Sequence, residues 1–169
     1  MTVSTTPQSQ VVSCVTGLTY IYSVAAINIY GTSSQQSTSV QVKCSGPPSQ
    51  MNSVIINQTG TLLRFSWTAP TNNGDLITGY LIYILTKPSN LYQVDTTLCD
   101  GTKNPALTDM FCEFSMPLLA NYNLGDLIDA KVQAINSKGY SVLSNATSSV
   151  VYYQSIPQQA ITGITGVST

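Results

Sequence analysis

Val24-Ala25-Ala26-Ile27-Asn28-Ile29-Tyr30-Gly31-Thr32-Ser33 returns downstream as Val132-Gln133-Ala134-Ile135-Asn136-Ser137-Lys138-Gly139-Tyr140-Ser141. Val, Ala, Ile, Asn, Gly and Ser recur without a gap, and the step from Val24 to Val132 is 108 residues. Solenoid repeats have periods of about 20–50 residues, whereas a β-sandwich module occupies about 100. The 169-residue chain therefore reads as parts of two copies of one all-β module.

Working outward from the phrase, Tyr20–Ala26 and Ile128–Ala134 alternate with period two, as half-buried strands do. Leu62–Trp67 alternates in the same way, and Thr71-Asn72-Asn73-Gly74-Asp75 is a concentrated turn signal. Val40-Gln41-Val42 and Val150-Val151-Tyr152 close the two copies. No stretch combines helical periodicity with a cap, and turn signals recur about every ten residues, as in a sandwich.

Composition narrows the function classes. Charged residues make up 8% of the chain and the net charge is −1, against about 25% charged in an average soluble protein. Such a surface has no electrostatic footprint for nucleic acid. No apolar run reaches the roughly 18–20 residues that span a bilayer. Residues 1–10 lack the basic start and apolar core of a signal peptide. Histidine is absent, so a nucleophile has no customary base. Asp75, Asp126 and Asp129 read as solvated turn and strand-start positions, not as a glycosidase pair. Asn73-Gly74-Asp75 is read as a tight turn. The chain is expected to be non-catalytic, with no cofactor and no metal.

The resemblance then becomes specific. Pro47-Pro48, Leu63-Arg64-Phe65-Ser66-Trp67-Thr68-Ala69-Pro70 and Asn73-Gly74-Asp75-Leu76-Ile77-Thr78-Gly79-Tyr80 resemble the first half of a fibronectin type III domain. Gly125-Asp126-Leu127-Ile128, continuing through Ala130, Val132 and Ala134-Ile135-Asn136 to Gly139 and Ser141, resembles the second half, strand F and the F–G turn. The resemblance implies an all-β, fibronectin type III or immunoglobulin-like sandwich. It places one complete module over 46–153, preceded by the C-terminal part of another (strands E, F and G) over 1–45. Residues 154–169, with Pro157 and Ile161-Thr162-Gly163-Ile164, read as a linker or the first strand of a following module. The family carries a Tyr near the start of strand F whose hydroxyl bonds back to the chain. Tyr20 holds that place in the first copy, but Ile128 holds it in the second, which implies apolar packing there.

Cys99 and Cys112 bracket the turn-rich stretch Asp100–Pro105, an insertion between strands C′ and E in the family's topology. A bridge across about a dozen residues is worth roughly 3 kcal/mol in the chain-entropy model. The same topology brings Cys14 and Cys44 to one pole. Four cysteines permit three pairings, and spacing alone leaves the choice open. Zinc lacks both a CxxC spacing and a histidine, so structural disulfides are expected. Asn57-Gln58-Thr59 and Asn145-Ala146-Thr147 are N-glycosylation sequons. Paired cysteines and sequons together favour an extracellular or cell-surface setting.

Two faces stand out as candidate protein contacts. On strand F of the first copy, Tyr20, Tyr22, Val24 and Ala26 should face inward, turning Ile21, Ile27 and Ile29 outward. The matching outward positions of the second copy are Asp129, Lys131, Gln133 and Ser137, with Ile135 the exception. Strand C is apolar on both sides, with Leu81, Tyr83 and Leu85 outward. Cover by the module's own C′–E insertion and contact with another protein are both open readings. Expected partners are neighbouring modules or copies of the same chain, with covalent glycans. Two functions are implied: a structural or adhesive surface protein of tandem modules, or a ligand-binding receptor ectodomain or spacer of a secreted carbohydrate-active enzyme.

Overall fold

The computed structural model describes residues 11–154. The upstream part of the expected strand E and the expected linker beyond Gln154 lie outside them. Among the described residues thirteen strands succeed one another in chain order. The first four are short: β1 (Thr19–Tyr22), β2 (Ile27–Asn28), β3 (Gly31–Thr32) and β4 (Val40–Lys43). Then come β5 (Ile55–Thr59), β6 (Leu62–Ser66), β7 (Gly79–Thr86), β8 (Leu91–Val94) and β9 (Phe111–Ser115). A 3₁₀ turn, Met116–Leu118, leads to β10 (Leu127–Ile128), β11 (Ala130–Asn136), β12 (Gly139–Tyr140) and β13 (Val151–Tyr152).

Two antiparallel sheets make a sandwich, one ordered β5-β6-β9 and the other β12-β11-β7-β8. Period-two alternation builds the layer between them. Leu63 and Phe65 of β6, Ile56 of β5 and Cys112 and Phe114 of β9 are buried from one sheet. Tyr80, Ile82 and Ile84 of β7 and Ala130, Val132 and Ala134 of β11 are buried from the other. Across the β7–β11 ladder a large residue stands opposite a smaller one: Tyr80 by Ala134, Ile82 by Val132, Ile84 by Ala130. That pairing leaves room for the aromatic residues of the facing sheet. Phe65 meets Phe114 edge-on at 5.0 Å, and Trp67 meets Tyr80 at 5.4 Å.

The insertion between β8 and β9 closes the open edge of β7. Tyr80 donates its N–H to the Gly101 carbonyl at 3.0 Å, and a Cβ on Gly101 would overlap the Tyr80 carbonyl. Cys99 and Ala106 join the core beside Ile82. The insertion thus continues the work of β8 along a strand that would otherwise present bare backbone.

The duplicated phrase is duplicated in its bonding as well. The Ala26 N–H donates to Ser33 Oγ and the Ser33 N–H to the Ala26 carbonyl. Ala134 and Ser141 repeat this exchange. The Val24 N–H donates to Ser37 Oγ, as that of Val132 does to Ser144 Oγ. Asn28 Oδ1 accepts the Tyr30 N–H at 2.9 Å, and Asn136 Oδ1 accepts the Lys138 N–H at 2.9 Å. Gly31 and Gly139 have φ of 137° and 135°, a region open to residues without a Cβ. The phrase recurs because each of its polar and glycine positions closes a backbone bond or a turn.

The copies differ in what flanks them. β11 runs unbroken for seven residues beside β7, whereas the expected continuous strand Tyr20–Ala26 stops at Tyr22. β1 pairs only with β4, and no counterpart of β7 lies beside it among the described residues. Beyond Tyr22 the first copy keeps the serine bonds to the Val24 and Ala26 amides but has no neighbouring strand like β7 to complete a ladder among the described residues.

Candidate interaction faces

Both cysteine pairs sit at bridging separation. Cys14 and Cys44 are 6.0 Å apart at Cα, and Cys99 and Cys112 are 5.6 Å apart. Cys99 and Cys112 lie in the core, while the other pair closes the pole of the first segment. Asn57 stands exposed on β5 and Asn145 exposed in the stretch between β12 and β13. Thr147 of the second sequon is tied down, donating Oγ1 to the Val54 carbonyl at 2.8 Å.

Leu81, Tyr83 and Leu85 are half-buried on the outer face of the four-stranded sheet. The insertion does not supply that cover, because its buried residues pack with the inward set Tyr80, Ile82 and Ile84. Neighbouring strands supply part of it. Tyr83 donates to Gln133 Oε1 at 3.0 Å, and Lys131 Nζ lies 4.3 Å from the centre of the Tyr92 ring. Ile135 and Tyr140 pair at the far edge, with Tyr140 well exposed. The result is a broad face of aliphatic and tyrosine side chains carrying one cation.

In the first segment the expected division into an inner and an outer face shows only weakly in β1, where Tyr20 and Tyr22 are less exposed than Ile21, and is lost beyond it. Ile21, Ile27 and Ile29 are 65%, 77% and 91% exposed, but Val24, expected inward, is 71% exposed too. No opposing sheet covers β1–β4 among the described residues, so alternation has nothing to bury against. Tyr20 behaves as the resemblance implies: its hydroxyl accepts the Val15 N–H at 2.8 Å.

Ile128 is fully buried in the second copy. A tyrosine bond that sequence reading missed lies nearby, where the Tyr122 hydroxyl donates to the Leu85 carbonyl. Burial, with the Asp126 and Asp129 charges, pushes Tyr122 up to about 12. Asp129 also corrects the expectation of a solvated, outward position. It is 6% exposed, accepts the N–H groups of Ala130 and Thr147, and receives the Tyr92 hydroxyl on Oδ2. Burial and the Asp129 carboxylate push the Tyr92 phenol well above its usual range. Tyr92 and Tyr122 are 37 residues from Asp129 and Leu85 respectively, a distance at which no local pattern signals a contact.

At the junction between the copies the turn Asn72–Asp75 meets both. The Gly46 N–H donates to the Asn73 carbonyl at 3.0 Å, and Asn73 Nδ2 donates to the Pro47 carbonyl at 2.7 Å. Asn136 Nδ2 reaches the carbonyls of Gly46 and Asn72, at 2.9 and 3.2 Å. The Ser137 N–H donates to Asp75 Oδ2 at 2.8 Å, and hydrogen bonding from Ser137 holds that carboxyl below the usual range.

No group of three or more acidic, cysteine or histidine ligands could hold a metal among the described residues. No helix there is long and apolar enough to cross a membrane.

No protein-family model matches the sequence. No curated protein matches it either. Solved structures do. Domains A168–A170 from titin superpose with a TM-score of 0.52 at 17% identity, over 79% of this chain and 40% of that one. The sixth fibronectin type III domain from human fibronectin type III domain containing protein 3 gives 0.49 at 18% identity, over 69% of this chain and 96% of that one. Chicken CNTN1 FN1–FN3 domains give 0.48 at 18%, over 82% and 44%. At such identities the likeness speaks to fold alone, and this chain spans less than half of the titin segment. With sheets ordered β5-β6-β9 and β12-β11-β7-β8 and no α-helix among the described residues, the chain has a fibronectin type III-like β-sandwich fold.

Proposed function

We propose that this chain is a segment of a non-catalytic extracellular structural or adhesive glycoprotein, built from tandem fibronectin type III modules in a surface fibre, coat or stalk. Residues 1–45 are the C-terminal part of one module, 46–153 a complete one, and 154–169 a linker or the first strand of the next. The observation that carries this reading is the first segment. It repeats the turn, the serine bonds and the glycine conformation of the second copy, yet leaves Ile21, Val24, Ile27 and Ile29 bare. An apolar strand pair of this kind is stable only when another layer covers it. Two cysteine pairs at bridging separation, exposed sequon asparagines and few charges suit a durable surface layer.

Electron microscopy of native material should show regular polymers. Its mass should fall on deglycosylation at Asn57 and Asn145, and alkylation should label thiols only after reduction. Discrete particles, bare asparagines or free thiols would overturn the reading. One observation favours the second function, a ligand-binding ectodomain or enzyme spacer: Tyr83, Tyr92 and Tyr140 are gathered on one sheet face. Replacing Leu81 and Tyr83 by Ser should weaken assembly in the first case and ligand capture in the second.

A further inference from the structure

Asn136 makes two kinds of bond, and only one belongs to its turn. Its Oδ1 accepts the Lys138 N–H, as Asn28 Oδ1 accepts that of Tyr30. Its Nδ2 reaches away from the turn to the carbonyls of Gly46 and Asn72. One side chain, 4% exposed, thus joins the end of β11, the chain entering the sandwich and the turn between β6 and β7. The opposite side of that turn touches the first segment. A Cβ on Gly74 would lie 2.8 Å from the Cys44 carbonyl and 3.1 Å from Gly17 Cα. Gly17 and Cys44 are joined by an N–H to carbonyl bond of 2.7 Å, and Cys44 is paired with Cys14.

We propose that Asn136 is a positioning residue that clasps the junction, so that the first segment and the sandwich move as one body. The interaction surface is the turn Asn72–Asp75, and its partner is the cysteine-paired end of the preceding segment at Gly17 and Cys44. Linked domains move independently by default, unless the contact between them is extensive. The turn and the segment end it meets are themselves only part-covered, so the junction resists rotation only if the turn is fixed by a bond that has no water to exchange with. Asn136 meets that condition. Gly74 lets the two backbones approach, with φ +84° and no room for a side chain. This inference goes beyond the array reading, since the clasp lies within the chain and does not depend on polymerisation.

The test uses residual dipolar couplings on the intact, oxidised chain. Amides of β1 and β4 should share one alignment tensor with those of β7 and β11. Asn136→Asp keeps the Oδ1 acceptor for Lys138 but replaces the amide donor with a carboxylate that two carbonyls repel. The tensor of β1 and β4 should then fall in magnitude about twofold or more, as for a freely hinged domain. Chemical shifts from Ala134 to Ser141 should stay near native. Asn28→Asp, at the same place in the first copy, should change neither tensor. A shared tensor in Asn136→Asp overturns the clasp, and so do separate tensors in the unmodified chain. Loss of the sandwich's dispersed spectrum in Asn136→Asp also overturns it, because the residue would then serve folding and not position. Discrete particles under the microscope would end the array reading and leave these outcomes unaffected.

Discussion

Ser33 and Ser141 perform one task in different surroundings. Each Oγ accepts the N–H of an alanine seven residues earlier and stands in for a ladder carbonyl. Ser141 does so buried, and Ser33 exposed. Removing an acceptor strands a donor, which costs about 1–3 kcal/mol when water cannot replace it and far less when it can. Ser141→Ala should therefore lower the unfolding free energy of the sandwich by about 1–2 kcal/mol in urea, with the slope unchanged. Ser33→Ala should shift it by less than about 0.5 kcal/mol. Equal effects would mean that the shared bond geometry, and not burial, sets the cost. The same contrast explains why local sequence misplaces Asp129. A carboxylate beside a strand start reads as solvated, and Tyr92 and Thr147, brought from elsewhere in the chain, join the adjacent Ala130 N–H to make its burial tolerable.

The insertion between β8 and β9 shows how an irregular stretch acts as a structural element. Its Gly101 carbonyl caps β7, and the Cys99–Cys112 pair anchors it to the core at β9. The separation along the chain is 13 residues, so the chain-entropy account gives about 3 kcal/mol for closing the loop. Cys99→Ser with Cys112→Ser should lower the stability of the sandwich by about that amount in chemical denaturation. The corresponding double change at Cys14 and Cys44 should leave the sandwich transition in place, because no described residue of the first segment belongs to the core. A loss of similar size from both pairs would place the first segment inside the cooperative unit.

The distribution of burial divides the molecule unevenly. Among the described residues the buried hydrophobic ones lie between Met51 and Ala134, and none lies in residues 11–45. A chain of residues 46–154 should keep the full melting temperature of the sandwich, and it should bind an apolar-surface dye less than the longer chain does. A drop of more than about 5 °C would show that the first segment supports the core, since about 1 kcal/mol moves the midpoint of a domain this size by roughly that much. The outer sheet face, with Leu81, Tyr83 and Leu85 half-covered, is common to both chains and separates the two sources of exposed apolar surface.

Period-two alternation, the repeated Val-x-Ala-Ile-Asn-x-x-Gly-x-Ser phrase and the Trp67 neighbourhood were enough to read the sandwich fold, because each is a local pattern imposed by backbone geometry. Gly139 and Asn136 were legible as turn residues for the same reason, since φ and the Asx bond act within a few residues. The tertiary structure alone decided the pairing of the four cysteines, the burial of Asp129 and the reach of Asn136 to the carbonyls of Gly46 and Asn72. It also decided that Ile21, Val24, Ile27 and Ile29 stand exposed among the described residues of the first segment. These depend on which distant stretches meet, and meeting is set by how two sheets close over a common core, a condition that no window of the sequence contains.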